Sequence, residues 1–128
     1  MIDHIAIAAN SESDSDLFFI QLLGLKKIRE KTVSAELMEK FFGVKRKNKF
    51  VSYSGEKMNF EVFITEDNTK AKDIFTHSCL FIENRDKFIV KATSLGFPVI
   101  KVQREDNNGY FLFIKDAFQN LYEIKETG

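Results

Sequence analysis

Two histidines, His4 and His77, each fall in an alternating apolar run of the kind that makes a half-buried strand: "MIDHIAIAAN" at the start of the chain and "FTHSCLFIEN" two-thirds of the way along. An imidazole inside a strand must find a hydrogen-bond partner or cost stability. Two glutamates recur in the same setting. In "MNFEVFI" the alternation sets Met58, Phe60, Val62 and Ile64 on one face and Asn59, Glu61 and Phe63 on the other. In "NLYEIKE" it sets Glu123 opposite Tyr122 and Ile124. Taken singly, each histidine reads as a core imidazole bonded to a backbone carbonyl, and each glutamate as a solvent-facing strand carboxylate. Two His and two Glu converging on a divalent cation would instead satisfy one another.

The elements that position them occur twice. "MIDHIAIAAN" reads as a strand with Ile2, His4, Ala6 and Ala8 on one face and Ile5 and Ile7 on the other. "SESDSDLFFIQLLG" follows as a helix with Ser and Asp caps and Gly24 as its stop. "LKKIRE", "KFVSYS" and "MNFEVFI" are strands, the last two joined through "GEK". The second half repeats the order: strand "FTHSCLFIE", helix "NRDKFIVKATSLG" stopped by Gly96, then strands "FPVIKVQ", "YFLFIK" and "NLYEIKE". Pro98 marks the sixth strand as an edge or as starting there. "REDNNG" is read as a hairpin turn with Asn108 and Gly109 at positive φ. His4 and His77 are 73 residues apart and the two stop glycines 72, so one offset serves strand and helix. Glu61 and Glu123 are only 62 apart, which places an insertion in the first half. "SAELMEKFFGV" has the helical apolar spacing to be it, and Phe41 and Phe42 are read as anchors that tack this candidate lid to the body. The expected organisation is a single domain with module one at 1–66, its insertion at about 33–44, a linker at about 66–73 and module two at 74–128.

Nineteen basic and nineteen acidic side chains cancel, so no global field draws in nucleic acid or an anionic membrane. "VKRKNK" is a local basic patch read as a solvated loop or strand edge. The single cysteine, Cys79, excludes an internal disulfide framework. No signal peptide or membrane-length apolar run is seen, and a cytoplasmic protein is expected. Most of the fourteen phenylalanines must fill the core.

Taken in order and spacing, "DHIAIAA" with its helix, "LLGLKK", "NFEVFI", "THSCLFIENRDKF", "SLGF" and "FLFIKDAFQNLYEIKE" resemble the vicinal oxygen chelate superfamily, the glyoxalase, bleomycin-resistance and extradiol-dioxygenase group. Only "SAELMEKFFGVKRK" and "TEDNTKAKD" lack a counterpart. The resemblance implies an α+β fold: two tandem βαβββ modules forming a curved mixed-sheet cleft, often completed across a homodimer. By position it implies that His4, Glu61, His77 and Glu123 are metal ligands, holding one divalent ion (Ni, Co, Zn or Mn). It further implies a metal-dependent lyase or isomerase of the glyoxalase I (lactoylglutathione lyase) type acting on a small molecule. In this chemistry a proton is abstracted next to a carbonyl and the enediolate is stabilised by the cation, with Glu123 the favoured base and Glu61 the alternative.

Methylmalonyl-CoA epimerases are similar but usually carry glutamine at the position of Glu61. Two rivals follow from the same resemblance: a metal-independent binding protein of the bleomycin-resistance kind, and an extradiol-type dioxygenase. In the latter, His4, His77 and Glu123 would form the iron triad and Glu61 would occupy a position that oxygen chemistry needs open. Asn59 and Phe63 share the face of Glu61, and Cys79 that of His77, so with Phe41 and Phe42 they are candidates for lining the substrate pocket. Arg29 is the candidate for a basic group facing glutathione carboxylates. The last turn departs from the family's Asp-Pro-x-Gly-Asn, with Ala117 and Gln119 in "DAFQN".

Overall fold

The computed structural model describes residues 2–106 and 108–127. The chain divides into two compact units, Met1–Thr69 and Lys70–Gly128, and each carries its own four-stranded mixed sheet. The α+β class and the doubled βαβββ plan are therefore what the chain adopts.

In the first unit the order along the chain is β1 (Ile5–Ala9), α1 (Glu12–Asp16), β2 (Lys26–Val33), α2 (Ala35–Phe42), β3 (Asn48–Ser54) and β4 (Asn59–Ile64). The sheet order is β1-β4-β3-β2, with β1 parallel to β4 and the other pairs antiparallel. The Ser11 hydroxyl caps α1 by accepting from the Asp14 N–H at 3.1 Å. The helix does not run on as a regular α-helix. Leu17–Leu22 is π-helical, and the Leu23 N–H reaches back five residues to the Phe18 carbonyl at 3.0 Å. This wider turn places Phe18, Phe19 and Leu22 in the core, where the Phe19 ring lies 5.0 Å from both Tyr53 and Phe60. Gly24, at φ 73, then ends the segment.

In the second unit, β5 (His77–Ile82), α3 (Arg85–Ser94), β6 (Val99–Gln103), β7 (Tyr110–Lys115) and β8 (Leu121–Glu126) repeat the plan in the order β5-β8-β7-β6. Asn84 caps α3, accepting from the Lys87 N–H at 2.9 Å. The helix lies against β6 and β8, so Phe88, Ala92, Leu112, Ile114, Tyr122 and Ile124 are all buried. Pro98 immediately precedes the edge strand β6, where its missing N–H breaks no ladder bond.

Several expectations are corrected. β2 continues to Val33, beyond "LKKIRE", because β3 pairs with it as far as Val33↔Asn48. Gly109 takes a positive φ of 94 as expected; the neighbouring Asn107 lies outside the described residues. Phe41 and Phe42 are not buried anchors, being 64% and 54% exposed. The anchor of α2 is Met38, buried with Val33 and Phe50 and with Phe63 packed on them, while the exposed Phe42 only adds an edge-on contact with the Phe63 ring. Ser34 caps this helix and Gly43 closes it at φ 73.

Candidate functional site

The candidate residues lie on the face of each sheet opposite the core helix, α1 with its π-helical extension in the first unit and α3 in the second; in the first unit α2 packs on part of that same face through Met38 on Val33, Phe50 and Phe63. In the first unit, pairing sets Ala6 beside Glu61, Glu61 beside Ser52 and Ser52 beside Arg29, one row across four strands. Val51, Tyr53, Phe60 and Val62 fill the helix-covered face.

His4 is not inside β1, contrary to the sequence expectation. The parallel ladder starts at Ile5↔Phe60, and β4 begins only at Asn59, so no partner strand remains for His4. Instead the Asn59 side-chain amide donates to the Asp3 carbonyl at 3.1 Å, pinning the segment. Asn59 thus positions backbone, and Ser54 donates to its Oδ1 at 2.5 Å. His77 likewise is the first residue of β5, and both imidazoles are 38% exposed. Neither is a core histidine.

The two histidines are nonetheless oriented alike. His4 Nδ1 lies 2.8 Å from Asp3 Oδ2 and His77 Nδ1 lies 2.9 Å from the Phe75 carbonyl. An acceptor beside Nδ1 suits the tautomer with its proton there, the form in which Nε2 can serve as a ligand atom. Nε2 faces a carboxylate in each case: His4 Nε2 is 3.4 Å from Glu61 Oε1 and His77 Nε2 is 3.8 Å from Glu123 Oε1. Both glutamates are largely shielded, at 20% and 19% side-chain exposure. The structure thus brings His4 together with Glu61 within one unit and His77 together with Glu123 within the other. Among the described residues no group of three or more His, Cys, Asp or Glu side chains is gathered at metal-binding spacing.

The donor chemistry fits a first-row divalent ion. Two ligand atoms each about 2.1 Å from a common cation stand roughly 3.0–3.4 Å apart for bond angles between square and tetrahedral. The 3.4 Å pair meets that spacing and the 3.8 Å pair is within a small side-chain movement of it.

Around these pairs, Arg29 sends its guanidinium to 3.6 Å from Glu61 Oε2 and lies 5.4 Å over the Phe50 ring. Phe63 stacks obliquely on Phe50 and meets Phe42 edge-on, both at 5.3 Å between centroids. Phe63 and Phe42 therefore share one aromatic cluster on the face of Glu61, while Phe41 meets Phe42 edge-on at 6.1 Å. In the second unit Cys79 pairs with Glu123 in the β5–β8 register and is exposed, so it is not hydrophobic filler. Partial desolvation of the thiol against the strand raises its pKa, and the Glu123 charge adds to the rise. The Phe113 ring meets His77 edge-on at 5.9 Å.

Sequence reading missed Asp3, the Phe75 carbonyl and Ser52. The strand parity of "KFVSYS" puts Ser52 on the face of Glu61, which was the available signal; the loop carbonyl leaves none.

No protein-family model matches the chain, and no curated protein matches it in sequence. Solved structures match its fold. A glyoxalase family protein from Enterococcus faecalis superposes with a TM-score of 0.73 at 18% identity, over 97% of this chain and 95% of that one. A glyoxalase family protein from Bacillus cereus gives 0.73 at 16% identity, over 98% and 92%. The fosfomycin resistance protein FosX from Listeria monocytogenes, in a variant complexed with Mn(II) and 1S,2S-dihydroxypropylphosphonic acid, gives 0.71 at 13% identity, over 100% and 93%. The chain has the fold of these glyoxalase-like proteins.

Proposed function

We propose that the protein is a metal-dependent enzyme of the glyoxalase-like kind, with His4, Glu61, His77 and Glu123 as ligands of one divalent cation, assembled within a chain or across a homodimer. The observation that carries this reading is the paired geometry of the histidines: each has Nδ1 spent on an acceptor and Nε2 turned to a shielded carboxylate. A hydrogen-bonding histidine needs only one such partner, whereas a ligand needs its tautomer fixed from behind. The Mn(II) complex of FosX supports a divalent ion in this fold.

When bound, the cation would polarise two vicinal oxygens of a small substrate and stabilise negative charge developing on them. The chain's own part is proton transfer. Glu123 is the favoured base, since its neighbours in the ladder are Cys79 and Phe113 and among the described residues no ion pair other than that with His77 engages it. Glu61 is held between His4 and Arg29 and is suited to stay a ligand. A carboxylate with one firm partner can swing to a carbon-bound proton and return it to the neighbouring carbon. The product class is then that of a lyase or isomerase working next to a carbonyl.

The test is elemental analysis of purified protein after loading with Ni, Co, Zn or Mn. About one ion per four-ligand site is expected, with His77→Ala and His4→Ala each abolishing it while the circular dichroism spectrum is retained. Wild-type protein that takes up no ion under any loading would instead favour a metal-independent binding protein.

A further inference from the structure

The insertion in the first unit carries a surface that the candidate metal pairs do not use. On the helical period Leu37, Met38, Phe41 and Phe42 of α2 share one arc, and Glu36, Glu39 and Lys40 share the opposite one. In a packed helix such an apolar arc is buried along its length. Here the sheet takes only Met38. Leu37, Phe41 and Phe42 stay exposed, as does Val44, which follows the turn at Gly43. Phe42 lies edge-on to Phe63 and Phe41 edge-on to Phe42, so the rings form one ridge. Four large apolar side chains left in water within eight residues make a contiguous patch, and such patches mark binding surfaces.

The ridge runs into the basic residues Lys45, Arg46 and Lys47. In a chain that is neutral overall, residues 36–47 hold four basic and two acidic side chains. Both acidic ones, Glu36 and Glu39, lie on the arc away from the rings. Lys40, Lys45 and Lys47 are exposed and make no ion pair among the described residues, whereas Arg46 is held by Asp67 at 3.8 Å and by Asn48 at 3.3 Å. Bare aromatic rings bordered by unpaired cations are complementary to the boundary of an anionic bilayer. The rings enter the edge of the acyl region and the ammonium groups stay level with the headgroups. A second copy of the chain is a poorer occupant, because a two-fold interface sets a patch against itself and would bring the two basic runs together.

We propose that Leu37, Phe41, Phe42 and Val44, with the cations of residues 40–47, dock the protein reversibly on a membrane surface rich in anionic lipid. The protein lies on the bilayer and does not cross it through this segment: α2 has eight residues, and among the described residues no helix is long and apolar enough to span one. None of His4, Glu61, His77 and Glu123 takes part, so docking stands or falls apart from their reading as metal ligands.

The test is flotation of the full-length protein with vesicles of phosphatidylcholine alone or with about 30% phosphatidylserine, at about 0.1 M and about 0.5 M NaCl. Wild type should float with the anionic vesicles, several-fold less in high salt, and should not float with the neutral ones. Phe41→Ser combined with Phe42→Ser should lower the bound fraction about tenfold. Lys45→Gln combined with Lys47→Gln should lower it several-fold and remove most of the salt dependence. Val90→Ser, at another exposed apolar position on α3, should bind as wild type does. All of these side chains are exposed, so the circular dichroism spectra should coincide. The chain has no tryptophan, and Phe41→Trp therefore supplies a single indole. Its emission should shift to the blue and be quenched by brominated lipid in the anionic vesicles. No flotation with anionic vesicles, or flotation unchanged by the paired phenylalanine substitutions, overturns the proposal. So does a dimer, seen by analytical ultracentrifugation without vesicles, that the same pair splits into monomers, because the ridge would then be an interface between copies.

Discussion

Lys27 and Arg29 stand two positions apart in β2 and yet lie on opposite faces of the sheet, Lys27 across from Tyr53 and Arg29 across from Ser52. Side chains two apart in a regular strand share a face, so Ile28 alone accounts for the inversion. Deleting Ile28 would make Lys27 and Arg29 adjacent in a regular strand and preserve the face of each. The deletion should therefore leave a folded protein within about 1–2 kcal/mol of wild type in urea denaturation, because only an exposed side chain is lost. Deleting Glu30 should be more damaging, since closing the cut by losing the irregularity would put Ile28 across from Ser52, turn Arg29 to the helix-covered face and remove the Glu30 contacts with Lys27 and Lys49. Equal tolerance of the two deletions would contradict the assigned register.

On the helix-covered side, Lys27 bonds Glu12 and Asp16, and Lys49 bonds Glu12 at 2.6 Å. The Lys27 bond first, then those of Lys49 and Glu30, hold the Glu12 pKa at about 2, below its usual 4.5. A lowered folded-state pKa contributes stability that is present above the unfolded value and lost as pH falls through the folded one. The window is thus from about 4.5 down to about 2. Glu12→Gln should cost about 1 kcal/mol at neutral pH, the scale of a solvent-screened ion-pair network, and nothing near pH 2. Urea midpoints measured across that range should converge for the two proteins; a constant gap would mean that the charge is not responsible.

Gln119 takes φ 71 without being glycine, in the turn where the resembling family carries glycine. The turn is closed by the Gln119 N–H, which donates to the Asp116 carbonyl at 2.9 Å. A side chain in the left-handed region costs about 1 kcal/mol or more. Gln119→Gly should accordingly raise the melting temperature by a few degrees, partly offset by the greater unfolded-state freedom of glycine, whereas Gln119→Val should lower it. Differential scanning calorimetry of the two variants decides the sign.

Much of this fold is legible in the sequence because its signals are local. The strict alternation of "NFEVFI" sets Glu61 away from the core, and the nearly equal offsets of the histidines and the stop glycines reveal the repeat. What escaped depends on pairing. His4 looks like a strand residue by its own alternation, but a strand ends where its partner does, and the ladder begins at Ile5. The bulge at Ile28 has no glycine to announce it, so "KKIREK" reads as regular. The π-helical Leu17–Leu22 segment is equally silent, since its apolar residues suit either helical period. Phe41 and Phe42 were read as anchors from hydrophobicity alone, yet only the packing of Val33 and Phe50 selects Met38.

Tyr122 and Tyr53 play the same part in the two units, each donating its hydroxyl to an aspartate, Asp116 at 2.9 Å and Asp16 at 2.6 Å. The acceptors differ in burial. Asp116 is 8% exposed and burial raises its pKa above the usual value, although bonds from Asn120 and Tyr122 oppose the rise. A raised folded-state pKa gives stability that is full below the unfolded value and lost as pH climbs through the folded one. Removing the Tyr122 hydroxyl strips a donor from the charged form and pushes that pKa up further. Tyr122→Phe should therefore cost about 1–3 kcal/mol at neutral pH and less near pH 4, where Asp116 is closer to protonation. Tyr53→Phe should cost less at neutral pH, because the Asp16 side chain is 35% exposed and water can replace the lost donor. Chemical denaturation of both variants at the two pH values would refute this account if Tyr53→Phe proved the more damaging, or if the Tyr122→Phe deficit grew on acidification.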